Sequence, residues 1–358
     1  MLKKAFLLLI ILLALPSLWA QNIPVGLEYE IVGGRSVTIT RYTGDATILS
    51  IPAQIQGLPV TAIGDRAFYN CISLTSITIP SSIISIGDYA FSECSGLTSI
   101  AIPSSVTYIS DRAFWACYYL TSITVDDRNS AYASIDGVLF DKNIRTIIKF
   151  PAGKIAGNYS IPSSVTSITG DDVFSITWGV DGLTSITIPS SVTFINNYAF
   201  SSCSGLVSIN VDRYNPVYAS IDGVLFDKNI RTLIRYPRGK TEVYYSIPSS
   251  VTTIGHEAFD SCRNLTSITI PSSATLIGYG AFSYCSNLAS ITIPSSVISI
   301  GDFAFYESGL TSVTIPSSVT DIGAAAFFNW VLLSATISRR TSVGQDAFPE
   351  TARIIYSD

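Results

Sequence analysis

The chain has 358 residues, of which 47% are hydrophobic and 13% charged, with a formal net charge of −5 and a single histidine. So few charges, together with abundant Ile, Ser and Thr, exclude a disordered protein and a protein that coats nucleic acid. One imidazole also counts against a multi-histidine zinc site and most histidine-based catalysis. The composition therefore indicates an extended, β-rich protein, and no cofactor is predicted.

The first twenty residues have the organisation of a secretory signal peptide. Lys3 and Lys4 precede an apolar run of eleven residues, and Ala20 offers a cleavage site. Eleven apolar residues are too few to span a bilayer, so residues 1–20 are predicted to be removed on export. Loss of the two lysines changes the net charge from −5 to −7, and no second membrane-length segment follows. We therefore expect a soluble exported protein, located at the cell surface, in the extracellular space or in the periplasm.

An internal repeat dominates the remaining sequence. Its frame is Ile-Gly-x-x-Ala-Phe, first seen in IGDRAFYNCISLTSITIPSSIIS from Ile63, and its ordinary period is 23 residues. The frame begins again at Ile86, Ile109, Ile168, Ile195, Ile254, Ile277, Ile300 and Ile322, and a last VGQDAF starts at Val343. This period lies within the roughly 20 to 29 residues of leucine-rich repeats. It predicts a solenoid in which each coil, one turn of chain about the long axis, covers the apolar side of the next.

Each position of the repeat has an expected structural role. In LTSITIP, the apolar side chains are predicted to point inward from a short strand, and Pro80 to end it, because proline lacks the amide for a further ladder bond. The phenylalanines of the Ala-Phe pairs are expected to stack into a spine. The outward Thr and Ser positions lack the large anchors of protein interfaces, and we attribute them to the preference of threonine for exposed sheets. Weak contact with sugars, or ordering of water or ice, is the alternative.

These residues resemble the BspA-like, or Treponema pallidum-type, leucine-rich repeat family, whose consensus is close to IGxxAFxxCxxLTSITIPSSVTS. The resemblance extends from Thr43 to Phe348. It implies a β-rich α/β leucine-rich-repeat solenoid of about nine or ten coils, with an N-terminal capping segment at 21–62, repeats at 63–342 and a C-terminal cap at 343–358. The resemblance also implies a role in surface adhesion, through binding of host matrix proteins, other cells or surface polysaccharide.

Two repeats are enlarged by the same sequence. The units that start at Ile109 and Ile195 are each 59 residues long, and both contain YASIDGVLFDKNIRT. Within this module, GVLFD and IRTIIKFP, or IRTLIRYP in the second copy, are predicted to form the two strands of a β-hairpin. We expect these hairpin insertions, at residues 126–160 and 212–246, to leave the solenoid and rejoin it at SIPSSVT.

The two insertions differ in charge from the rest of the chain. They contain 11 of the 19 lysines and arginines that follow residue 20, against 8 acids, so their net charge is +3 and that of the remainder is −10. Basic and aromatic residues on a projecting element are typical of protein-interaction hot spots or of a patch for anionic glycans. The alternative is that the aromatics pack each hairpin onto the solenoid and the basic residues only solvate it. The candidate ligand-binding residues are Lys142, Arg145, Lys149, Lys154, Tyr159, Lys228, Arg231, Arg235, Tyr236, Arg238 and Lys240.

The six cysteines share one position of the repeat, eight residues after its isoleucine. They are Cys71, Cys94, Cys117, Cys203, Cys262 and Cys285. An even number in an exported protein is compatible with disulfides. Equivalent positions of stacked coils, however, have parallel side-chain directions, which favour a buried ladder of unbridged thiols. No CxxC or Cys-His spacing predicts a metal site.

Together these features predict a non-enzymatic exported protein that binds a protein or a glycan, with no nucleic-acid partner, metal or catalytic residue. His256 occupies the variable third position of its repeat and is expected to be an exposed spectator. Two other functions stay open: a periplasmic or envelope scaffold without a host ligand and, more remotely, a glycan hydrolase with two carboxylates in a cleft between the hairpins. The oligomeric state is also open.

Overall fold

Two ladders of short, mostly parallel β-strands run along the chain and define its architecture. The computed structural model describes residues 23–154, 157–171, 173–174, 182–201 and 203–357. The predicted signal peptide, residues 1–20, lies outside these ranges, so the structure does not test it. All the regular secondary structure in the described ranges is β-strand, and the protein is a β-solenoid of about 13 coils.

The strands are short, most of them two to four residues long. Their bounds are β1 Leu27–Val32, β2 Ser36–Tyr42, β3 Ile48–Ser50, β4 Gln54–Ile55, β5 Leu58–Ile63, β6 Ser76–Thr78, β7 Ser85–Ile86, β8 Ser99–Ile102, β9 Tyr108–Ile109, β10 Ser122–Val125, β11 Tyr132–Ile135, β12 Val138–Asp141, β13 Thr146–Lys149, β14 Gly157–Ser160, β15 Ser167–Ile168, β16 Leu183–Ile188, β17 Phe194–Ile195, β18 Ser208–Val211, β19 Tyr218–Ile221, β20 Val224–Asp227, β21 Thr232–Arg235, β22 Tyr244–Ser246, β23 Thr253–Ile254, β24 Ser267–Thr269, β25 Leu276–Ile277, β26 Ser299–Ile300, β27 Ser312–Thr314, β28 Asp321–Ile322, β29 Ser334–Ile337, β30 Ser342–Val343 and β31 Arg353–Tyr356.

The prediction of an α/β fold is wrong, because no element of the described chain is a helix. The segment between the two ladders, around the Ala-Phe pair, is a series of turns. It contains a left-handed residue three positions after the repeat isoleucine, as at Tyr89 (φ 54°), and another at position seven, as at Glu93 (φ 60°). Left-handed residues interrupt a right-handed helix at one or both of these positions in the repeats that start at Ile63, Ile86, Ile109, Ile254, Ile277, Ile300 and Ile322. The expected nine or ten coils are also too few, because the insertions and the N-terminal segment add coils.

The first ladder contains the repeat isoleucines. In β5, β7 and β9, Ile63, Ile86 and Ile109 lie side by side in parallel register. Glycine follows Ile63 and Ile86, where neighbouring coils approach closely, and Ser110 takes its place after Ile109. A Cβ atom on Gly87 would lie 2.8 Å from the carbonyl carbon of Gly64 in the preceding coil. This ladder forms three separate sheets, which end at β9 and β17 and begin again at β11 and β19.

The second ladder consists of the LTSITIP strands. Ser99 and Ile100 of β8, for example, lie beside Ser122 and Ile123 of β10. The alternation of buried and exposed side chains along β6, β8 and β27 places the isoleucines and valines inside and the Thr and Ser side chains outside, as predicted.

Stacked phenylalanines fill the centre of the solenoid and confirm the predicted spine. The rings of Phe68 and Phe91 are parallel with centroids 5.3 Å apart, and those of Phe305 and Phe327 are 4.9 Å apart. All four are fully buried. The core nevertheless consists of three clusters, and the boundaries between them fall within the two insertions, at residues 138–139 and 224–225.

The insertions do not project from the solenoid, and this part of the prediction is wrong. The expected strands are present as β12 and β13, which pair antiparallel. However, β13 also pairs in parallel with β15 of the first ladder, and Leu139 and Phe140 of β12 are fully buried. The same arrangement recurs in β20, β21 and β23. Each insertion is therefore an additional coil of the stack, because its apolar residues complete the core between its neighbours.

A buried asparagine and a tyrosine attach each insertion to the preceding coil. The Asn129 side chain donates hydrogen bonds to the carbonyls of Pro103 (2.8 Å) and Val106 (2.9 Å) and accepts two from the amides of Ala131 and Tyr132. In the second insertion, Asn215 makes the equivalent four bonds. These bonds tie each insertion to the preceding coil where the first ladder is interrupted, between β9 and β11 and between β17 and β19.

The cysteines form the predicted ladder of thiols. All six lie in described ranges, none is bridged, and all except the half-buried Cys71 are buried. The thiols of Cys94 and Cys117 each donate a hydrogen bond of 2.9 Å to the carbonyl of a spine residue, Phe68 or Phe91. The repeating geometry of the stack thus gives each buried thiol a backbone acceptor.

Candidate functional site

The eleven residues predicted to bind a ligand do not form one surface. Lys142, Arg145, Lys228 and Arg231 are exposed at the turns before β13 and β21. Lys154, Tyr159, Arg238 and Lys240 are half-buried beyond the other end of these strands. Lys149, Arg235 and Tyr236 are buried, with 6%, 2% and 1% of their surface exposed. Burial removes these three from any exposed contact surface, because the strands that contain them are part of the stack.

Arg235 has a structural role in the second insertion. Its guanidinium donates to the carbonyls of Glu257 (2.7 Å) and Asn197 (3.0 Å), which lie in the coils on either side. It also lies 3.6 Å from the Glu257 carboxylate, and 3% of the Arg235 side chain is exposed. A buried guanidinium needs such partners to offset its lost hydration. Arg235 therefore joins three successive parts of the solenoid.

Aromatic residues of the insertions pack against one another. The rings of Phe150 and Tyr159 are in edge-to-face contact with centroids 4.9 Å apart, and Tyr236 and Tyr245 repeat this contact at 4.9 Å. Burial raises the pKa of Tyr159 and of Tyr245. These tyrosines therefore fit the alternative in which the insertion aromatics pack onto the solenoid.

A groove of about 600 Å³ lies on the turn side of the solenoid, the face formed by the residues around each Ala-Phe pair. Seven coils contribute to it, one of them the second insertion. Four aromatic rings line it, from Tyr89, Trp115, Tyr198 and Tyr284. Charged side chains lie between the rings, namely Arg112, Asp171, Arg238, Glu257 and Asp260, together with the hydroxyls of Ser201 and Ser261. Its volume is within the range of ligand-binding clefts.

The groove forms where the inserted coils are short on this face. The spine residue Phe68 lies five positions after Ile63, whereas Phe150 of the first insertion lies three positions after Ile147. Side chains of the flanking coils therefore meet across each insertion. Arg112 reaches Asp171 (3.3 Å) across the first. Across the second, Ser201 donates to Glu257 (3.1 Å).

Left-handed backbone positions present several of the groove side chains. Tyr89, Glu257, Ser261 and Tyr284 have φ angles of 54°, 49°, 55° and 54°. They occupy the third or seventh position after the repeat isoleucine, where the repeat sequence varies. The groove is not evident from the sequence, because the contacts that assemble it cross the inserted coils. The available signal was the run of aromatic residues at these variable positions.

The charged residues of the groove are paired with one another. Arg112 pairs with Asp171 and also donates to the Tyr89 hydroxyl (3.1 Å). Arg238 pairs with Asp260, whose carboxylate also accepts a hydrogen bond of 2.6 Å from the buried Ser283.

The third carboxylate, Glu257, is paired with Arg235 beneath the groove. Burial raises the pKa of Glu257, while the nearby Arg235 opposes the shift. Three acids are thus balanced by three arginines, and the groove has no excess of either charge.

No group of three or more His, Cys, Asp or Glu side chains that could hold a metal occurs in the described ranges. His256 is exposed as predicted, with its ring centroid 6.2 Å from that of Tyr279. Within the same ranges, no helix has the length and apolar character needed to cross a membrane.

Comparison with known proteins supports the repeat assignment. The sequence profile of a family described as "BspA type Leucine rich repeat region" matches residues 61–206, 150–227 and 238–354, in 6 copies. The structure is similar to that of a leucine rich cell surface protein from Faecalibacterium prausnitzii A2-165, with a TM-score of 0.51 and 28% identity, over 94% of this chain and 94% of that one. It is also similar to the pneumococcal vaccine antigen PcpA, with a TM-score of 0.51 and 19% identity, over 94% of this chain and 87% of that one. No curated protein matches the chain.

Proposed function

Because the chain belongs to the BspA-type leucine-rich repeat family, we propose that it is an exported, non-enzymatic surface protein that mediates adhesion by binding a protein or a glycan. The relative from Faecalibacterium prausnitzii is described as a cell surface protein, and the similarity covers nearly the whole length of both chains. The apolar run of residues 1–20 supports export. Solenoid proteins commonly bind through extended surfaces built by successive repeats.

The groove on the turn side is the single observation that carries this proposal. It combines four partly exposed aromatic rings with fixed, paired charges in one concave volume of about 600 Å³. Aromatic and arginine side chains in a pocket are typical of binding hot spots. By contrast, the outward positions of β6, β8 and β27 carry Ser, Thr and Ala, which provide no large anchors.

The exposed basic residues form a secondary contact surface in this proposal. Lys142 and Arg145 in the first insertion, and Lys228 and Arg231 in the second, occupy equivalent turns and are all exposed. Their repeated spacing suits an extended acidic partner, which would contact both turns. Of the four half-buried residues Lys154, Tyr159, Arg238 and Lys240, Arg238 lines the groove.

A binding array tests the proposal. Residues 21–358 would be applied to immobilised matrix proteins and polysaccharides as wild type, as the groove variant Trp115→Ala/Tyr284→Ala, and as the basic-turn variant Lys142→Ala/Arg145→Ala/Lys228→Ala/Arg231→Ala. We expect the groove variant to lose binding and the basic-turn variant to weaken binding to acidic probes only. Equal binding by wild type and groove variant, or no binding to any probe, would contradict the proposed site.

Exposure at the cell surface needs a separate test. Intact cells that produce the protein would be treated with protease, and the fractions probed for the chain. Digestion on intact cells supports a surface protein. Full protection on intact cells, with digestion after the envelope is opened, would instead support the periplasmic or envelope scaffold.

A further inference from the structure

We infer that the ligand of the groove is an uncharged oligosaccharide, which packs on the rings of Tyr89, Trp115, Tyr198 and Tyr284 and hydrogen-bonds to the paired charges between them. This inference rests on the proposed binding function of the groove and specifies the chemical class of the ligand.

The exposure of the aromatic rings in the groove suits stacking with a ligand. Tyr198 and Tyr284 are 38% and 44% exposed, and Tyr89 and Trp115 are half-buried, whereas the phenylalanines of the spine are buried. Tyr89 and Trp115 support each other edge to face, with centroids 6.1 Å apart. The apolar C–H face of a pyranose ring packs on such surfaces, and its rim of hydroxyls needs hydrogen-bonding groups nearby.

The charged groups of the groove match hydroxyls better than ions. Arg112 is already paired with Asp171, and Arg238 with Asp260, so an ionic ligand would have to displace a charge from its partner. A sugar hydroxyl both donates and accepts, and it can bridge a carboxylate and a guanidinium without breaking the pair. The three acids that line the groove are balanced by Arg112, Arg238 and the buried Arg235 beneath it, so no net charge favours a cation or an anion.

Three backbone amides on one side of the groove are already paired and are not available to a peptide. The amides of Glu257, Ser261 and Tyr284 donate to the carbonyls of Tyr279, Ser283 and Tyr306 in the next coil, each at 2.8 Å. A peptide that bound by strand addition would need such groups to be unpaired. A ligand in the groove therefore meets side chains, which favours a ligand recognised through its own ring faces and hydroxyls.

Calorimetric titration of residues 21–358 tests the inference. The probes are the hexasaccharides of β-1,4-glucose, α-1,4-glucose, β-1,3-glucose, β-1,4-xylose and β-1,4-mannose, with heparin, hyaluronan and gelatin for comparison. At least one neutral hexasaccharide should bind, with a Kd that changes less than about twofold between 0.05 and 0.5 M KCl, because no ion pair forms with the ligand.

Variants connect this binding to the groove. Tyr198→Ala and Tyr284→Ala should each weaken binding about tenfold or more, whereas Tyr198→Phe keeps the ring and should change Kd less than about threefold. Tyr214→Ala is the matched control, since Tyr214 is 70% exposed in the second insertion and does not line the groove. Thermal unfolding of each variant separates loss of binding from loss of folding, and the Phe variant keeps the test valid if an Ala variant unfolds.

The outcomes distinguish the inference from the proposed function. Groove-dependent binding of gelatin, or of heparin with strong salt dependence, together with no neutral sugar, would overturn the ligand class and leave the binding function intact. Neutral-sugar binding that Tyr198→Ala and Tyr284→Ala do not affect would also overturn the inference. Binding of none of the probes would count against both.

Discussion

The hydroxyl of Tyr132 accepts a hydrogen bond of 2.8 Å from the backbone amide of Ile109, at the point where the first ladder is interrupted. In the second insertion, the Tyr218 hydroxyl accepts the equivalent bond from Ile195, at 2.9 Å. In an ordinary coil, the neighbouring strand supplies the acceptor. A side chain thus completes the backbone hydrogen bonding at both interruptions.

Tyr132→Phe should destabilise the protein by about 1 to 2 kcal/mol, because the Ile109 amide loses its acceptor while the ring remains. Chemical denaturation measures the loss, and amide hydrogen exchange should show faster exchange at Ile109. Tyr119→Phe, which changes a tyrosine that is 57% exposed, is the control and should alter stability by less than about 0.5 kcal/mol. Unchanged exchange at Ile109 in Tyr132→Phe would show that the hydroxyl is not the acceptor.

Asn215→Ala should have a larger effect, since the side chain is fully buried and makes four hydrogen bonds to backbone groups. We expect a loss of about 2 to 4 kcal/mol, because buried carbonyls and amides are left without partners. Asn215→Asp keeps the shape but removes the donors and buries a charge, so it should be at least as harmful. Denaturant unfolding measures both, and a loss below about 0.5 kcal/mol in either variant would contradict the role of this side chain.

Tyr236→Phe should stabilise the protein by about 1 kcal/mol. The Tyr236 hydroxyl is buried and has no hydrogen-bond partner among the described residues, and burial raises the pKa of this tyrosine. Phe150 occupies the same place in the first insertion, which shows that the ring alone fills the site. Because a buried unpaired hydroxyl is unfavourable, its removal should raise the thermal midpoint. The reciprocal change Phe150→Tyr should lower it, and a decrease for Tyr236→Phe would contradict the expected result.

The thiols should differ in reactivity. Burial raises the pKa of Cys117 and of Cys262 to about 12. At pH 8 each of these thiols is therefore deprotonated in roughly one molecule in ten thousand. A hydrogen bond with Cys94 lowers the pKa of the half-buried Cys71. Iodoacetamide at pH 8 should therefore alkylate Cys71 in the folded protein and all six thiols in denaturant, as read by mass spectrometry. Cys71→Ser should leave the folded protein unlabelled, and rapid labelling of Cys117 would contradict the structure.

Glu257 should give the protein a distinctive pH dependence. Burial raises its pKa, so the folded state binds a proton more tightly than the unfolded state does. The contribution of Glu257 to stability therefore increases as the pH falls from 7 towards the ordinary pKa of glutamate, about 4.3. The difference in unfolding free energy between wild type and Glu257→Gln should shift in favour of wild type over this range. An opposite slope would show that the ion pair with Arg235 dominates over burial.

The sequence predicted those features that recur in every coil. The stacked phenylalanines, the inward isoleucines and the buried thiols follow from a strict 23-residue period, because equivalent residues must lie side by side. The prediction that the insertions project was wrong, although the sequence contained a signal against it. Val138, Leu139 and Phe140 are consecutive and all fully buried, as in a strand covered on both faces, whereas a projecting hairpin would expose alternate residues.

The candidate site was less predictable than the fold. The groove depends on contacts such as Arg112 with Asp171, which are 59 residues apart in sequence and meet because the intervening coil is short. Charge counting instead favoured Lys149 and Arg235, whose burial follows from the position of β13 and β21 in the stack. Local sequence describes each coil well, but it does not show which side chains meet across an irregular one.

The division of the core at the two insertions has a mechanical consequence. Adjacent residues of one inserted strand, Val138 and Leu139 or Val224 and Leu225, belong to different clusters, and the first ladder is interrupted next to each insertion. Under tension applied at the chain ends, a stack with such seams extends segment by segment instead of rupturing as a whole. We therefore expect the two insertions to act as seams, so that the protein lengthens in stages while the remaining segments stay intact.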